Sequence, residues 1–267
     1  MARPRVMGIV NVTPDSFSDG GRHATVEAGL AQAMKLIGDG ADILDIGGES
    51  TRPGAEPVSA QDEIVRVVPV IEAVHARWHG PISVDTMKPE VARAAMAVGA
   101  SIWNDVTALT FAPESVDVAA DLGCEVVLMH MLGDPQSMQV EPRYDDVVAE
   151  VVDHLVARAG AAMTAGVARD RITLDPGIGF GKTVEHNLAL IAALDRLVAT
   201  GFPVLLGASR KRMIRNIDPS AAEATDRLGG SIALALEGAR RGAAVIRVHD
   251  VRETVQALKV QAAVETA

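Results

Sequence analysis

"PISVDTMKPEVARAAMAVGASIWNDV", residues 81–106, contains in one segment the pattern from which the fold follows. Two short apolar runs, "PISVDT" and "SIWNDV", flank residues 89–99, where apolar side chains recur at helical spacing. Continuous apolar runs are typical of strands buried on both faces, and a strand, helix and strand in this order form a parallel unit. Asp85 and Asn104 lie near the ends of these runs, which places both at one edge of the predicted sheet.

The same pattern recurs along the whole chain. Further apolar runs are "RVMGIVN", "ADILDIGG", "EVVLMHM", "RITLDPGIG", "PVLLGAS" and "AAVIRVHD". Helical periodicity covers residues 26–40, 62–78, 89–99, 146–166, 186–200, 227–241 and 252–263. About eight repeats in about 250 residues predict an α/β fold, a closed (β/α)8 TIM barrel. No linker divides the chain, so we expect a single domain over residues 1–267; an open doubly wound sheet is the alternative.

Composition narrows the class of protein. The chain has 267 residues, 48% of them hydrophobic and 3% aromatic, which suits an aliphatic core. The net charge of −10 argues against general binding to nucleic acid or to an anionic membrane. The single cysteine, Cys124, excludes an intramolecular disulfide and is expected in the core. We see neither a signal peptide nor a long apolar run, so the expected compartment is cytoplasmic.

Polar residues mark the carboxyl ends of the predicted strands. They are Asn11, Asp45, Asp85, Asn104, His130, Asp175, Ser209 and His249. In a (β/α)8 barrel these ends meet at one mouth, where the active site lies. An aspartate and an asparagine on neighbouring strands can bind a heterocycle that offers both donors and acceptors. The alternative for a lone aspartate is a cap on the turn that follows it.

"LDPGIGFGKT", residues 174–183, looks like a phosphate-binding loop but does not match one. The P-loop pattern requires a glycine where Pro176 stands, and the dinucleotide pattern G-x-G-x-x-G is absent as well. What remains is Asp175 at a strand end and Phe180, a large apolar side chain that could form the wall of a pocket. Lys182 either belongs to this site or is a solvated surface lysine.

Cations follow the last two predicted strands. "GASRKRMIR", residues 207–215, places a basic run around Ser209 and Lys211. The loop after the seventh strand of such barrels is a frequent phosphate site, whereas a solvated helix start is the alternative. "IRVHDV" places Arg247 and His249 at alternate positions of the last strand, so both point to one side. We expect an anionic or polar ligand there.

Two long polar loops follow the first two strands. They are "NVTPDSFSDGG", residues 11–21, and "GGESTRPGAEP", residues 47–57. Both are longer than a turn requires and have the composition of mobile lids that exclude water from a site. The hydroxyl of Thr51 and the guanidinium of Arg52 suit a phosphate group, with a solvent-exposed turn as the alternative.

Seven motifs, in this order and spacing, resemble those of the dihydropteroate synthases of the folate pathway. They are "NVTPDSFSDGG", "GGESTRPGA", "VDT", "ND", "DPGIGFGK", "GASRK" and "RVHDV", and together they span nearly the whole chain. The resemblance implies a (β/α)8 barrel that condenses 6-hydroxymethyl-7,8-dihydropterin diphosphate with p-aminobenzoate. The products would be 7,8-dihydropteroate and diphosphate. It also suggests a homodimer formed through the later helices.

The resemblance further implies how the first substrate is bound. The residues that would contact the pterin edge are Asp85, Asn104, Asp175 and Lys211, while Arg247 would stack on the ring. The residues that would bind the diphosphate are Thr51, Arg247 and His249, with Arg52 closing over it. Asn11 would be a ligand of Mg²⁺, which prefers hard oxygen donors.

The p-aminobenzoate site and the catalytic residues are implied in the same way. The residues that would border p-aminobenzoate are Phe180, Gly207, Ser209 and Lys211, helped by Phe17 and Pro53. The residues expected to be catalytic are Arg52, Asp85, Asp175 and Lys211.

Two other hypotheses remain at this point. A related barrel could transfer a methyl group from a reduced folate to a corrinoid partner, but it would not need the residues suited to diphosphate. A non-catalytic paralogue could bind a pterin or a phosphate only. The intact motifs argue against this second alternative.

Overall fold

The computed structural model describes residues 3–12, 21–50, 55–133, 138 and 141–267, with the backbone alone for residues 21–25. Strands and helices alternate within these ranges, as predicted. The strands are β1 (Arg5–Asn11), β2 (Ile43–Gly47), β3 (Ile82–Asp85), β4 (Ile102–Asp105), β5 (Glu125–Met129), β6 (Ile172–Asp175), β7 (Leu205–Leu206) and β8 (Val245–Val248). Each strand falls within one of the predicted apolar runs.

The strands form one parallel sheet that closes on itself. The order is β6-β5-β4-β3-β2-β1-β8-β7, and every paired neighbour is parallel. A single bridge between Leu174 and Val204 connects the two outer strands. There the Leu174 N–H donates to the Pro203 carbonyl at 2.9 Å. The predicted (β/α)8 barrel is confirmed, and the open doubly wound sheet is wrong because such a sheet has two free edges.

The helices cover the outside of the barrel. They are α1 (Gly21–Gly38), α2 (Ala60–His75), α3 (Pro89–Ala97), α4 (Ser115–Leu122), α5 (Val147–Ala165), α6 (Val184–Ala192), α7 (Leu194–Val198), α8 (Arg212–Ile217), α9 (Leu228–Arg240) and α10 (Val251–Glu265). The single helix predicted over residues 186–200 is two helices, because the backbone leaves the helical conformation at Ala193, with φ −112° and ψ 23°. The sequence did not predict α4 and α8, which are too short to show helical periodicity.

A layer of apolar side chains forms the floor of the mouth. It consists of Met7, Ile43, Ile102, Val127, Leu205 and Val245, which pack together inside the barrel. Side chains alternate between the two faces of a strand, so residues two positions further along point into the same interior, closer to the carboxyl ends. On four strands these residues are Asp45, Asn104, Gly207 and Arg247. The period of two therefore places three polar side chains, those of Asp45, Asn104 and Arg247, above the apolar layer.

Two further expectations concern the rest of the molecule. Cys124 is buried immediately before β5, as expected of a core residue. Burial raises the pKa of its thiol to about 11. None of the helices in the described part of the chain has the length and apolar character that a membrane span requires.

Candidate active site

Strand register brings several polar strand ends into one row. Asn11 on β1 pairs with Gly47, Gly47 pairs with Asp85, and Asp85 pairs with Asn104. Gly47 has no side chain, and a Cβ there would lie 3.4 Å from the Cβ of Asp85. The predicted residues Asn11, Asp85 and Asn104 therefore lie in one row of paired residues at the carboxyl ends of their strands.

A charged cluster centred on Arg247 adjoins this row at Asp85. The Arg247 Nε–H donates to Asp45 Oδ2 at 2.6 Å, and its Nη2–H donates to Asp85 Oδ2 at 2.6 Å. The Asn104 amide Nδ2 donates to the same Asp45 oxygen at 3.2 Å. The structure thus brings Asp85, Asn104 and Arg247 together, and Asp45 connects Asn104 to Arg247.

The cluster contains two carboxylates for one guanidinium. Asp45 is fully buried, and its Oδ1 finds no hydrogen-bond partner among the described residues. Burial raises the pKa of Asp85 to about 7, although the neighbouring Arg247 opposes this increase. A carboxyl pKa raised by burial is typical of functional sites.

Asp175 lies across Gly207 from Arg247. A Cβ on Gly207 would be 3.8 Å from Asp175 Oδ2 and 3.9 Å from the Arg247 Cβ. The other oxygen of Asp175, Oδ1, accepts the Gly177 N–H at 2.7 Å. Burial raises the pKa of Asp175, while the Gly177 hydrogen bond and the Lys211 charge oppose the shift. A side chain at position 207 would fill the space between Asp175 and Arg247, so glycine keeps it open.

Two further contacts complete this side of the mouth. The Lys211 ammonium lies 4.1 Å from the centroid of the Phe180 ring, a cation–π distance. A Cβ on Gly179 would be 3.2 Å from the Lys211 Cδ, so the loop packs closely on this lysine. The Ser209 hydroxyl lies 3.1 Å from His249 Nδ1, and the backbone N–H of His249 donates to the Ser209 Oγ at 3.3 Å. Phe180, Lys211, Ser209 and His249 thus form two pairs beside the charged cluster.

The predicted basic run occupies different environments. Arg210 donates from Nε to Asp250 Oδ2 at 2.9 Å in a partly buried ion pair. Arg212 and Arg215 are exposed on α8. Only Lys211, the residue before α8, lies against Phe180. Of the cations in this run, Lys211 is therefore the one that contributes to the site.

Several predicted site residues lie outside the described residues. They are Phe17, Thr51, Arg52 and Pro53. Their assigned roles stay predictions. Asn11 is exposed at the carboxyl end of β1, in the row that contains Asp85. In the described ranges, no three His, Cys, Asp or Glu side chains are grouped so that they could ligate a metal ion.

The sequence patterns assign no role to Asp45 and leave two interpretations open for Lys182. The available signal for Asp45 was an acid in an apolar strand, two positions after Ile43. Lys182 is 3% exposed, so the interpretation as a solvated surface lysine is wrong. The available signal for Lys182 was the run of glycines before it, since glycine allows backbone carbonyls to approach a side chain closely.

A buried acid–lysine network of Lys88, Glu49 and Glu63 was not predicted from the sequence. Lys88 Nζ donates to Glu49 Oε2 at 2.6 Å and to Glu63 Oε2 at 2.7 Å. Burial raises the pKa of Glu63, while Lys88 opposes the shift. Glu49 Oε1 accepts the Val58 N–H at 2.8 Å, which ties both ends of the second long loop to the barrel. No local pattern could reveal this network, because the three charged residues come from different elements.

Fold and site together define an enzyme of the (β/α)8-barrel class, with a polar site at the carboxyl ends of its strands. The family model described as pterin binding enzyme matches residues 7–249. The chain therefore belongs to the pterin-binding enzyme family, and the curated relatives that it matches include dihydropteroate synthases. The resemblance seen in the motifs is confirmed.

The relatives cover nearly all of the chain. Dihydropteroate synthase of Escherichia coli (strain K12) is 48% identical over 263 residues, covering 97% of this chain and 91% of the relative. A Xanthomonas albilineans dihydropteroate synthase structure with 4-aminobenzoic acid has 54% identity and a TM-score of 0.94, covering 99% of this chain and 94% of that one. A structure of the same enzyme with 7,8-dihydropteroate has 51% identity and a TM-score of 0.90, covering 99% of this chain and 95% of that one.

Proposed function

We propose that this chain catalyses the condensation of 6-hydroxymethyl-7,8-dihydropterin diphosphate with p-aminobenzoate, with release of diphosphate. The observation that carries the proposal is the cluster of Asp85, Asn104, Asp45 and Arg247 at the mouth of a barrel that belongs to the pterin-binding family. The solved relatives with 4-aminobenzoic acid and with 7,8-dihydropteroate support the identity of the second substrate and of the product.

The cluster suits the pterin half of the first substrate. The amino-pyrimidinone edge of a pterin presents neighbouring N–H donors, which one carboxylate can accept in a bidentate manner. Asp85 is the proposed acceptor, and it is partly buried in register with Asn104 and bonded to Arg247. Arg247 already donates to Asp45 and Asp85, so it can keep its bond to Asp45 while its guanidinium stacks on the ring.

The cations suit the departure of diphosphate. Cleavage of the C–O bond sends its electron pair to the diphosphate and leaves positive charge on the pterin methylene carbon. Groups fixed where negative charge develops stabilise this transition state. Among the described residues we assign Arg247 and His249 to the diphosphate, and we extend the assignment to Thr51 and Arg52 on the basis of their motif.

The residues at the mouth are compatible with Mg²⁺. Mg²⁺ commonly keeps several waters and takes further oxygen ligands from substrate phosphates, so it needs few protein ligands. Asn11 has a side-chain amide oxygen and is exposed at the mouth, and it is the proposed protein ligand. When bound, Mg²⁺ neutralises part of the charge on the departing diphosphate.

The second substrate then attacks through its amine. The amine lone pair forms the C–N bond with the methylene carbon, and the amine loses a proton to solvent or to the released diphosphate. Phe180 and Lys211 are the proposed walls of the p-aminobenzoate site, together with Gly207 and Ser209. The scheme needs no strong general base on the protein, because the attacked carbon already carries positive charge.

The reaction itself is the direct test. Purified protein is given the dihydropterin diphosphate with or without p-aminobenzoate, in Mg²⁺ or in a chelator, and both diphosphate and dihydropteroate are measured. Formation of dihydropteroate that requires Mg²⁺ would support the proposal. Binding of the pterin without diphosphate release under any condition would favour the non-catalytic paralogue, and methyl transfer to a corrinoid would favour the other alternative.

Replacing Lys211 with alanine should strongly reduce turnover. The substitution removes the cation that lies against Phe180 and that favours the ionised form of Asp175. We expect kcat/KM to fall by about 30- to 5,000-fold, the equivalent of about 2 to 5 kcal/mol for truncating one member of a charged contact. The control is Lys259→Ala, since Lys259 is exposed on α10. Near-normal kcat/KM for Lys211→Ala would contradict its placement in the site.

A homodimer and a cytoplasmic location remain proposals. The later helices expose large apolar side chains, which is compatible with an interface between copies. They are Leu188, Ile217, Val260 and Val264. Sedimentation equilibrium tests the dimer, and a monomer at all concentrations would exclude it.

A further inference from the structure

A second buried polar cluster lies beside the mouth, in the loop that follows β6. Its centre is Lys182, whose Nζ lies 2.9 Å from the Phe180 carbonyl, 3.1 Å from the Gly177 carbonyl and 3.2 Å from the His130 carbonyl. The same Nζ lies 3.0 Å from His130 Nδ1. The cluster therefore links the end of β5 to both sides of the loop.

In this cluster the Lys182 ammonium is bound mainly by the dipoles of backbone carbonyls. An ammonium has three N–H donors, and the acceptors within 3.2 Å of Lys182 Nζ are the three carbonyls and His130 Nδ1. Burial lowers the pKa of Lys182 to about 7, partly opposed by Asp175. Burial also lowers the pKa of His130 to about 3, so His130 is neutral and its Nδ1 can accept a hydrogen bond. The partners of Lys182 Nζ are thus backbone carbonyls and a neutral imidazole.

Other contacts also restrict the movement of this loop. Gly177 has a φ of +68°, and a Cβ there would lie 1.9 Å from the His130 carbonyl oxygen, so the loop touches the end of β5 directly. The Gly179 N–H donates to Asn187 Oδ1 at 2.7 Å. The Tyr144 hydroxyl donates to the Gly181 carbonyl at 2.8 Å. Each of these contacts fixes the backbone of the loop.

The side chain that this loop presents to the site is Phe180. Its ring packs under the Lys211 ammonium at 4.1 Å, and Asp175 begins the loop. Movement of the loop would displace the Phe180 ring from Lys211. It would affect Asp175 less, because Asp175 is also part of β6 and its backbone pairs with Met129 on β5.

We propose that Lys182 is a positioning residue for the p-aminobenzoate half of the site. By binding the carbonyls of His130, Gly177 and Phe180, it fixes the loop that places the Phe180 ring against Lys211. It touches no reacting atom in this assignment. The proposal rests on the proposed function, because p-aminobenzoate is the substrate that Phe180 borders.

Lys182→Met tests the proposal, because methionine retains an unbranched side chain of similar length and removes the donors. We expect KM for p-aminobenzoate to rise roughly tenfold, the effect of losing a hydrogen bond to a charged group. KM for the dihydropterin diphosphate should rise less than KM for p-aminobenzoate, because Asp85 and Asn104 lie on other strands and Asp175, whose pKa Lys182 helps to lower, keeps its backbone pairing in β6. The matched control is Lys259→Met on α10, which should leave both KM values unchanged. Equal changes in both KM values, or an unchanged KM for p-aminobenzoate, would overturn the proposal.

A second variant covers the case in which Lys182→Met does not fold. Tyr144→Phe removes one bond to the Gly181 carbonyl and leaves the ring in place. It should raise KM for p-aminobenzoate by about threefold, with little change in KM for the pterin substrate. An unchanged KM for p-aminobenzoate in a folded Tyr144→Phe protein would argue against loop positioning.

Hydrogen exchange separates this proposal from the proposed function. Amides of residues 177–183 should exchange faster in Lys182→Met than in the wild type or in Lys259→Met, while exchange in β1 to β4 stays the same. Unchanged exchange would overturn the proposal whatever the activity. A wild type that forms no dihydropteroate would refute the proposed function, and would leave the exchange result to decide whether Lys182 orders the loop.

Discussion

Asp85→Asn should lower kcat/KM for the dihydropterin diphosphate by about 100- to 1,000-fold. The amide has almost the shape of the carboxylate, but it carries no charge and has one acceptor oxygen instead of two. It therefore cannot accept two N–H donors from the pterin edge. The control is Asp121→Asn, because Asp121 is exposed at the end of α4. Turnover of Asp85→Asn close to that of the wild type would remove Asp85 from the site.

The pH dependence of the wild type gives an independent test of Asp85. Its pKa is raised from 3.8 to about 7, so the carboxylate form that accepts the pterin edge is lost as pH falls below about 7. We expect kcat/KM to fall between pH 8 and pH 6 in the wild type, and to fall less in the residual activity of Asp85→Asn. Equal slopes in the two proteins would show that another group controls this pH range.

The raised pKa of Asp85 also makes the stability of the folded protein depend on pH. Because the pKa in the folded state lies above 3.8, the folded protein binds a proton between about pH 4 and pH 7 that the unfolded chain has released. The Asp85 contribution to stability is therefore present below about pH 4 and is lost as pH rises to about 7. Asp85→Asn should therefore unfold at a urea midpoint closer to that of the wild type at pH 5 than at pH 8.

Arg247→Met should be the most destabilising of these substitutions. The variant leaves Asp45 and Asp85 in the barrel without their shared guanidinium. Removing one partner of a buried ion pair typically costs about 3 to 5 kcal/mol, because the remaining charge is neither solvated nor paired. We expect a loss of that size in the free energy of urea unfolding at pH 8, together with loss of activity.

The loss of unfolding free energy in Arg247→Met should be smaller at pH 5, where protonation can neutralise the carboxylate of Asp85. The control is Arg93→Met, since Arg93 forms an exposed pair with Asp121 and should change stability by less than about 0.5 kcal/mol. Adding Asp85→Asn to Arg247→Met should restore part of the stability at pH 8, because one of the two buried charges is gone. A double variant no more stable than Arg247→Met would contradict the charge explanation.

The fold and much of the candidate site could be predicted from local patterns. The strand runs and the main helices follow from the spacing of apolar residues, and the short helices α4 and α8 escaped because two turns carry too little periodicity. The motifs identified five site candidates that the structure places around one mouth: Asp85, Asn104, Phe180, Lys211 and Arg247.

The sequence alone was enough to establish the alternation of strands and helices, the polar ends of the strands and the family to which they correspond. These features depend on residues close together in the chain, where spacing determines which way side chains point. Tertiary structure was needed for contacts between distant residues: Arg247 with Asp45, Lys88 with two glutamates, and Lys182 with the end of β5. Burial and partner decide the charge of such groups, and both arise only when barrel closure brings together strands that are far apart in the chain.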